Sequence, residues 1–265
     1  AQSAAKDAGV PFYDNRLTLY DPTDVRGYPV PDHTNKTVEW WLPKTLPTKG
    51  PGLVAFEELN SAPPLVQAAT YQLFLDRKLG DYTVPEGVVL IALGNRAEDR
   101  AITFRMPSAL ANRFVHVELD SPPNAEDWFN WAVENKVESR VVTYIKAQPH
   151  RLFNFDPSTN KTAFATPRSW EYVSDILKAK REGGIERELV GGAIGAVSQE
   201  FYAWMKVYDR IPDMERIFKG EDLIPEKSDE LYALCVALAY KAKPEQYERL
   251  MKYSMAFPPE RVEFV

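Results

Sequence analysis

The sequence predicts an α/β domain on a parallel sheet over residues 1–120, followed by an all-helical domain over 121–265. Three observations predict it. Two apolar runs, GLVAF from Gly52 and GVVLIAL from Gly87, are bounded by glycine and polar residues, as buried parallel strands are. A stretch with helical spacing lies between them, so strand and helix alternate. At Ser121 the composition shifts, and from Asp127 the chain reads as successive helices.

Ala1 to Ala8 reads as the end of a helix, closed by Gly9 at the position after the cap. FYDNRLTLY, residues 12–20, alternates around Phe12, Leu17 and Leu19 and predicts a strand. The segment from Asp21 is dense in Asp, Pro and Gly and reads as a loop, with a short strand at Val38–Trp41. Trp40 and Trp41 are expected as core or loop anchors. GLVAFEE is the first buried strand. Asn60 and Ser61 are suited to cap the next helix, whose first turn holds Pro63 and Pro64. Its apolar face is expected at Leu65, Val66, Ala69 and Leu73, and it ends near Gly80. DYTVPEG reads as a hairpin-like excursion, and GVVLIALGN, residues 87–95, as the second buried strand. A polar loop and the short helix SALANR lead to a third strand, FVHVELD. Beyond it, WFNWAVENK, ESRVVTYIKAQ, SWEYVSDILKAKRE, ELVGGAIGAVSQEFYAWMKVY, DELYALCVALAYKA and PEQYERLMKYSMAF read as helices.

Composition narrows the function classes. The chain is 45% hydrophobic and 26% charged, the balance of a globular protein. A net charge of −6 argues against a general nucleic-acid binder, which needs a basic surface. No apolar run is long enough for a membrane span. The single cysteine, Cys235, excludes an intrachain disulfide and a cysteine metal cluster, and a cytoplasmic location is the simplest expectation. Cys235 lies on an apolar helix face with Leu231, Leu234 and Leu238, so core burial is expected. His33, His116 and His150 show no ligand spacing. GGAIGA, residues 191–196, is read as helix packing and not as a phosphate loop.

The strand GLVAFEE delivers two carboxylates, Glu57 and Glu58, to its C-terminal tip, where open α/β sheets bind ligands. One acid can hold a cation through water while the next orients an attacking water. The neighbouring buried strand ends in Asn95, whose amide can hydrogen-bond a phosphate or that water. As an acid/base pair flanking one bond the glutamates are poorly placed, because adjacent strand residues point to opposite faces.

In order, FEELNSAPP, LDRKLGDYTVPEG, LIALGN, LANRF and TPRSW resemble an AAA+ ATPase of the MoxR type, in the dynein-related subfamily. The resemblance runs from about Phe12 to Leu177. It implies a P-loop NTPase-like domain with a helical lid and C-terminal helices, using ATP and Mg²⁺ in the complete protein. It places Glu57 at the metal position of Walker B, Glu58 at the catalytic position and Asn95 at sensor 1. Arg113 then matches the arginine finger aimed at a neighbouring subunit's nucleotide, and Arg168 the sensor 2 arginine facing the γ-phosphate. Arg26 and Arg105 are surface arginines first, with subunit contacts as the second reading. The implied protein is a chaperone-like remodelling motor. It forms homo-oligomeric, often hexameric, rings and acts on client proteins, many with von Willebrand factor A domains.

Two departures stand out. Glu57 occupies a position where the family usually has Asp. No G-x-x-x-x-G-K-[ST] occurs in the chain, so the Walker A loop and the strand before it are expected upstream of residue 1. That expectation makes the chain a fragment of a longer protein or the product of a truncated gene. In the fold it resembles, the missing strand would lie between residues 87–95 and 113–120, and its slot is expected to be filled or closed. The alternative function is a truncated or degenerate, non-catalytic protein-interaction module.

Overall fold

The computed structural model describes residues 1–96, 103–104, 106–119, 124–156, 158–159, 162–179 and 185–257. The chain divides into two compact units, Ala1–Glu118 and Leu119–Val265.

The first unit opens with α1 (Gln2–Asp7). Gly9 closes it at φ +66°, where the Gly9 and Val10 amides donate back to the Lys6 and Ala5 carbonyls. A residue with a Cβ would be strained there, which is why glycine marks the stop. Three strands follow in one parallel sheet, in the order β1 (Phe12–Arg16), β4 (Gly52–Glu57), β7 (Val88–Ala92). Phe12 faces Leu53 and Arg16 faces Glu57 across one seam, and Leu53 faces Val89 across the other.

One face of the sheet carries Val54 and Phe56 into a core with Leu17, Leu59, Val66, Leu73 and Val88. Helix α3 (Pro64–Asp76) covers that face, and Phe56 meets Phe74 edge to face at 5.1 Å. Each fully buried large side chain here contributes roughly 1.5–3 kcal/mol relative to exposure. Of the residues expected on the inner face of α3, Val66, Ala69 and Leu73 are buried, but Leu65 points to solvent. It sits in the first turn, just after the Pro63–Pro64 entry, and Gln67 and Thr70 take the inward positions instead.

Other expectations are corrected. The strand expected over residues 12–20 ends at Arg16, and Leu17–Leu19 form a 3-10 turn that buries Leu17 and exposes Leu19. The Asp21 loop contains a one-turn helix, α2 (Pro22–Arg26), whose start is secured by the Asp21 amide donating to the Asp24 carboxylate at 2.8 Å. A ribbon follows, β2 (Tyr28–Asp32) antiparallel to β3 (Thr37–Trp41). Trp40 and Trp41 lie on it and are exposed, so they anchor no core. The excursion after α3 is the small hairpin β5 (Lys78–Leu79) and β6 (Tyr82–Thr83).

The third strand expected at FVHVELD is not formed by its described residues, 114–119. After α4 (Ser108–Ala111), residues 115–119 carry no strand pairing, and Val115, Val117 and Leu119 are 93%, 77% and 81% exposed. Period-two alternation makes a strand only where a neighbour accepts its hydrogen bonds. Among the described residues the sheet ends at β7, so the slot expected between residues 87–95 and 113–120 is not formed.

The second unit is helical: α5 (Ala125–Glu134), α6 (Ser139–Ala147), α7 (Pro167–Lys178), α8 (Ile185–Ile194), α9 (Val197–Tyr208), α10 (Met214–Phe218), α11 (Ser228–Lys241) and α12 (Tyr247–Ser254). Tyr144, Trp170 and Phe201 meet at the centre of one core, with centroids 5.3–5.4 Å apart. The single helix expected from ELVGG to MKVY is two. Gly195 breaks it at φ +62°, and a Cβ there would run into the Ala163 carbonyl, so this glycine-rich segment is a packed corner. A second core gathers Ile217, Leu231, Leu234, Leu238 and Tyr253, with Cys235 packed against it.

Candidate functional site at the tips of β4 and β7

Glu57 is the last residue of β4. Phe56 turns into the core, so by alternation Glu57 turns to the other face of the sheet. Its register partner on β1 is Arg16, and the Arg16 guanidinium reaches the Glu57 carboxylate at 3.2 Å. The side chains are 51% and 28% exposed, so solvent screening limits the pair to about 0–1 kcal/mol. The cation beside Glu57 is therefore supplied by the chain itself.

At Glu58 the backbone leaves the strand in the left-handed region, φ 59° and ψ 35°. A non-glycine residue pays roughly 1–2 kcal/mol for that conformation. The following 3-10 turn, Leu59–Ser61, anchors it: Leu59 is buried, and the Ser61 and Ala62 amides donate to the Glu58 carbonyl at 2.9 and 3.0 Å. The Glu58 carboxylate accepts a hydrogen bond from the Thr18 hydroxyl at 2.7 Å. Thr18 is placed for this by buried Leu17 in the turn after β1. Sequence reasoning missed Thr18 and Arg16. Their only signal is position: both lie in the second half of the strand expected over residues 12–20, and only the fold sets that strand beside GLVAFEE.

The tip of β7 is tied to the tip of β4 by an amide clamp. Asn60 Nδ2 donates to the Asn95 carbonyl at 2.6 Å, and the Asn95 amide donates to Asn60 Oδ1 at 3.2 Å. Leu59 adds a backbone bond to the Leu93 carbonyl at 3.0 Å. Gly94 lies against this clamp, and a Cβ there would collide with the Asn60 amide. Asn60 was expected to cap α3. Its side chain is used in the clamp instead, and Pro63 stands at the helix start without a side-chain cap. Asn95 is held by its main chain, leaving its side chain exposed.

Of the remaining candidates, Arg26 and Arg113 belong to the first unit and Arg168 to the second. Arg113 follows α4 and folds back to donate to the Ala109 carbonyl. Arg26 ends α2 and is exposed, while Arg105 lies outside the described residues. Arg168 belongs to the second unit, exposed in the first turn of α7, where the helix dipole disfavours a cation. Thr166 starts that helix by accepting from the Ser169 amide at 3.1 Å.

As arranged, the acidic pair does not fit a divalent cation. Arg16 engages Glu57, Thr18 engages Glu58, and no group of three or more His, Cys, Asp or Glu among the described residues is arranged to hold a metal. What the geometry offers is a carboxylate on a strained backbone, held by one hydroxyl, at the C-terminal end of the central strand. Released from Thr18, it is an acceptor able to orient a water or a donor group of a ligand.

No family model matches the chain, and no curated protein matches it. One similar solved structure is that of a putative ATPase from Cytophaga hutchinsonii ATCC 33406. It is 14% identical, with 96% of this chain and 75% of that one covered, at a TM-score of 0.32. A superposition that loose does not assign function, which rests on the residues themselves. No helix among the described residues is long and apolar enough to cross a membrane.

Proposed function

We propose that this chain is part of an ATP-driven remodelling protein of the MoxR AAA+ type. The observation that carries the reading is Glu58: a carboxylate in a strained conformation at the tip of the central parallel strand, tethered by Thr18 beside the clamped tip of β7. Strained polar residues at such positions are a mark of functional sites. In this reading Glu58 orients the water that attacks the γ-phosphate, and Asn95 contributes its exposed amide. Arg113 serves a neighbouring subunit's nucleotide, and Arg168 couples the helical unit to ATP. Rings of the complete protein, six-membered in this reading, act on a client protein, von Willebrand factor A domain proteins being the class the resemblance implies. Mg²⁺ is the cation the resemblance implies for the complete protein; with Arg16 on Glu57 and Thr18 on Glu58 the acidic pair as arranged does not fit it, and no step of this reading is routed through it.

The test is made on the gene read upstream of Ala1. A protein carrying a phosphate loop and this chain is expected to turn over ATP, and Glu58→Gln is expected to abolish turnover while ATP binding persists. Normal turnover in that variant would overturn the assignment. The second reading, a non-catalytic interaction module, is favoured by the lack of a Walker A motif within these 265 residues and by the engagement of both carboxylates. It predicts no phosphate loop upstream.

A further inference from the structure

The β2–β3 ribbon has two unequal edges. Pairing sets Pro29 opposite Trp40 and Pro31 opposite Val38. Proline cannot donate, so the exchanged hydrogen bonds fall on the alternate pairs, Tyr28–Trp41, Val30–Glu39 and Asp32–Thr37. The prolines then face the outer edge of β2 and strip it of donors, a common protection against strand addition. On the outer edge of β3 the amides and carbonyls of Val38 and Trp40 point outward. Among the described residues neither amide has an acceptor. One edge is blocked and the other is open.

The open edge is also apolar and acidic. Val38 and Trp40 share one face of the ribbon and are exposed. Tyr28, Glu39 and Trp41 share the other, with Tyr28 and Trp41 71% and 65% exposed. Beside that face runs a groove of about 580 Å³ whose lining includes Leu19, Tyr20, Asp24, Tyr28, Trp41 and Leu42. The Glu39 carboxylate has no hydrogen-bond or ion-pair partner among the described residues. A two-stranded ribbon this exposed gains from a third strand.

We infer that the outer edge of β3 captures an extended polypeptide of a partner protein, one that alternates basic and apolar residues. A strand added there places every second side chain beside Val38 and Trp40. The intervening side chains fall beside Glu39 and Trp41, where a lysine or arginine gains both a counter-charge and an aromatic face. A second copy of β3 fits less well. Antiparallel self-pairing that keeps the apolar face continuous sets Glu39 opposite Glu39 in its fullest register, and like charges opposed across strands are destabilising. The inference does not depend on ATP chemistry at the β4 tip.

The probe is a fluorescein-labelled eight-residue peptide alternating lysine and valine, with its glutamate–valine counterpart as control, titrated into the full chain by anisotropy. The lysine peptide is expected to bind about fivefold or more tightly than the control. Added salt should narrow that difference, and the Val38 and Trp40 amides should become protected from hydrogen exchange. Glu39→Lys, an exposed change that leaves the ribbon intact, should reverse the peptide preference. Equal binding of the two peptides, an unchanged preference in Glu39→Lys, or unaltered exchange at Val38 and Trp40 would overturn the proposal. So would concentration-dependent self-association that protects the same two amides without peptide.

Discussion

Thr18 and Glu58 show how a single hydroxyl sets the state of a site. Glu58 pays for its left-handed backbone, and its carboxylate is then fixed at 2.7 Å from Thr18. Thr18→Val keeps the shape and removes the donor. The carboxylate is partly exposed, so water replaces most of the lost bond, and the variant is expected to lose about 1 kcal/mol or less of stability. Thr18→Ser should recover it. In a complete ATPase, Thr18→Val should alter turnover far more than it alters melting temperature, because it frees the group proposed to orient water. A loss of several kcal/mol with unchanged turnover would instead make Thr18 purely structural. Arg16 makes the contrasting case. It contributes little to stability, yet it decides what Glu57 can hold, since its guanidinium already engages that carboxylate.

At the scale of elements, legibility followed burial. β4, β7 and α3 were plain in the sequence because continuous apolar runs and helical spacing report core positions directly. The carboxylates at the β4 tip were legible for the same reason, since a buried strand must end where charge begins. β2 was missed because Pro29 and Pro31 argue against a strand unless one edge is meant to stay unpaired. FVHVELD failed in the opposite sense: its alternation was real, but among the described residues no strand pairs with it. The Asn60–Asn95 clamp was unreadable, because an asparagine before a proline-led helix reads as a cap, and only the fold brings β7's tip within reach. The cap of α7 is the readable kind. Thr166 accepts from the Ser169 amide, and the Ser169 hydroxyl accepts from the Thr166 amide at 2.7 Å. Thr166→Ala should therefore cost about 1 kcal/mol, measured by urea unfolding of the full chain. A neutral result would mean that packing of Trp170 alone fixes the start of this helix.

At the scale of the whole molecule, several described side chains of the second unit hold their protons more tightly because they are wholly or partly buried. In the second unit, burial pushes the Cys235 thiol from 9.0 up to about 11. Burial, then the Glu200 carboxylate, raises Tyr144 from 10.0 to about 12, and burial with Glu186 does the same for Tyr202. Burial also raises Tyr253, Tyr232 and Tyr240. Among the described residues of the first unit, burial raises Tyr82. A group whose folded pKa lies above its unfolded value holds its proton more tightly when folded. Its contribution is complete below the unfolded pKa and is lost as pH rises through the folded one. For Cys235 the loss runs from about 9 to about 11, and for Tyr144 and Tyr202 from about 10 to about 12. The melting temperature of the second unit should therefore fall as pH rises from about 9 toward 12. Near-ultraviolet circular dichroism can follow this through Trp170, buried in the second unit, with tyrosinate absorbance recording ionisation in the same scan. Ionisation should lag behind that of free tyrosine and coincide with loss of the Trp170 signal. Tyrosines that titrate freely while that signal persists would show that these hydroxyls are less enclosed than the packing of Tyr144 against Trp170 and Phe201 implies.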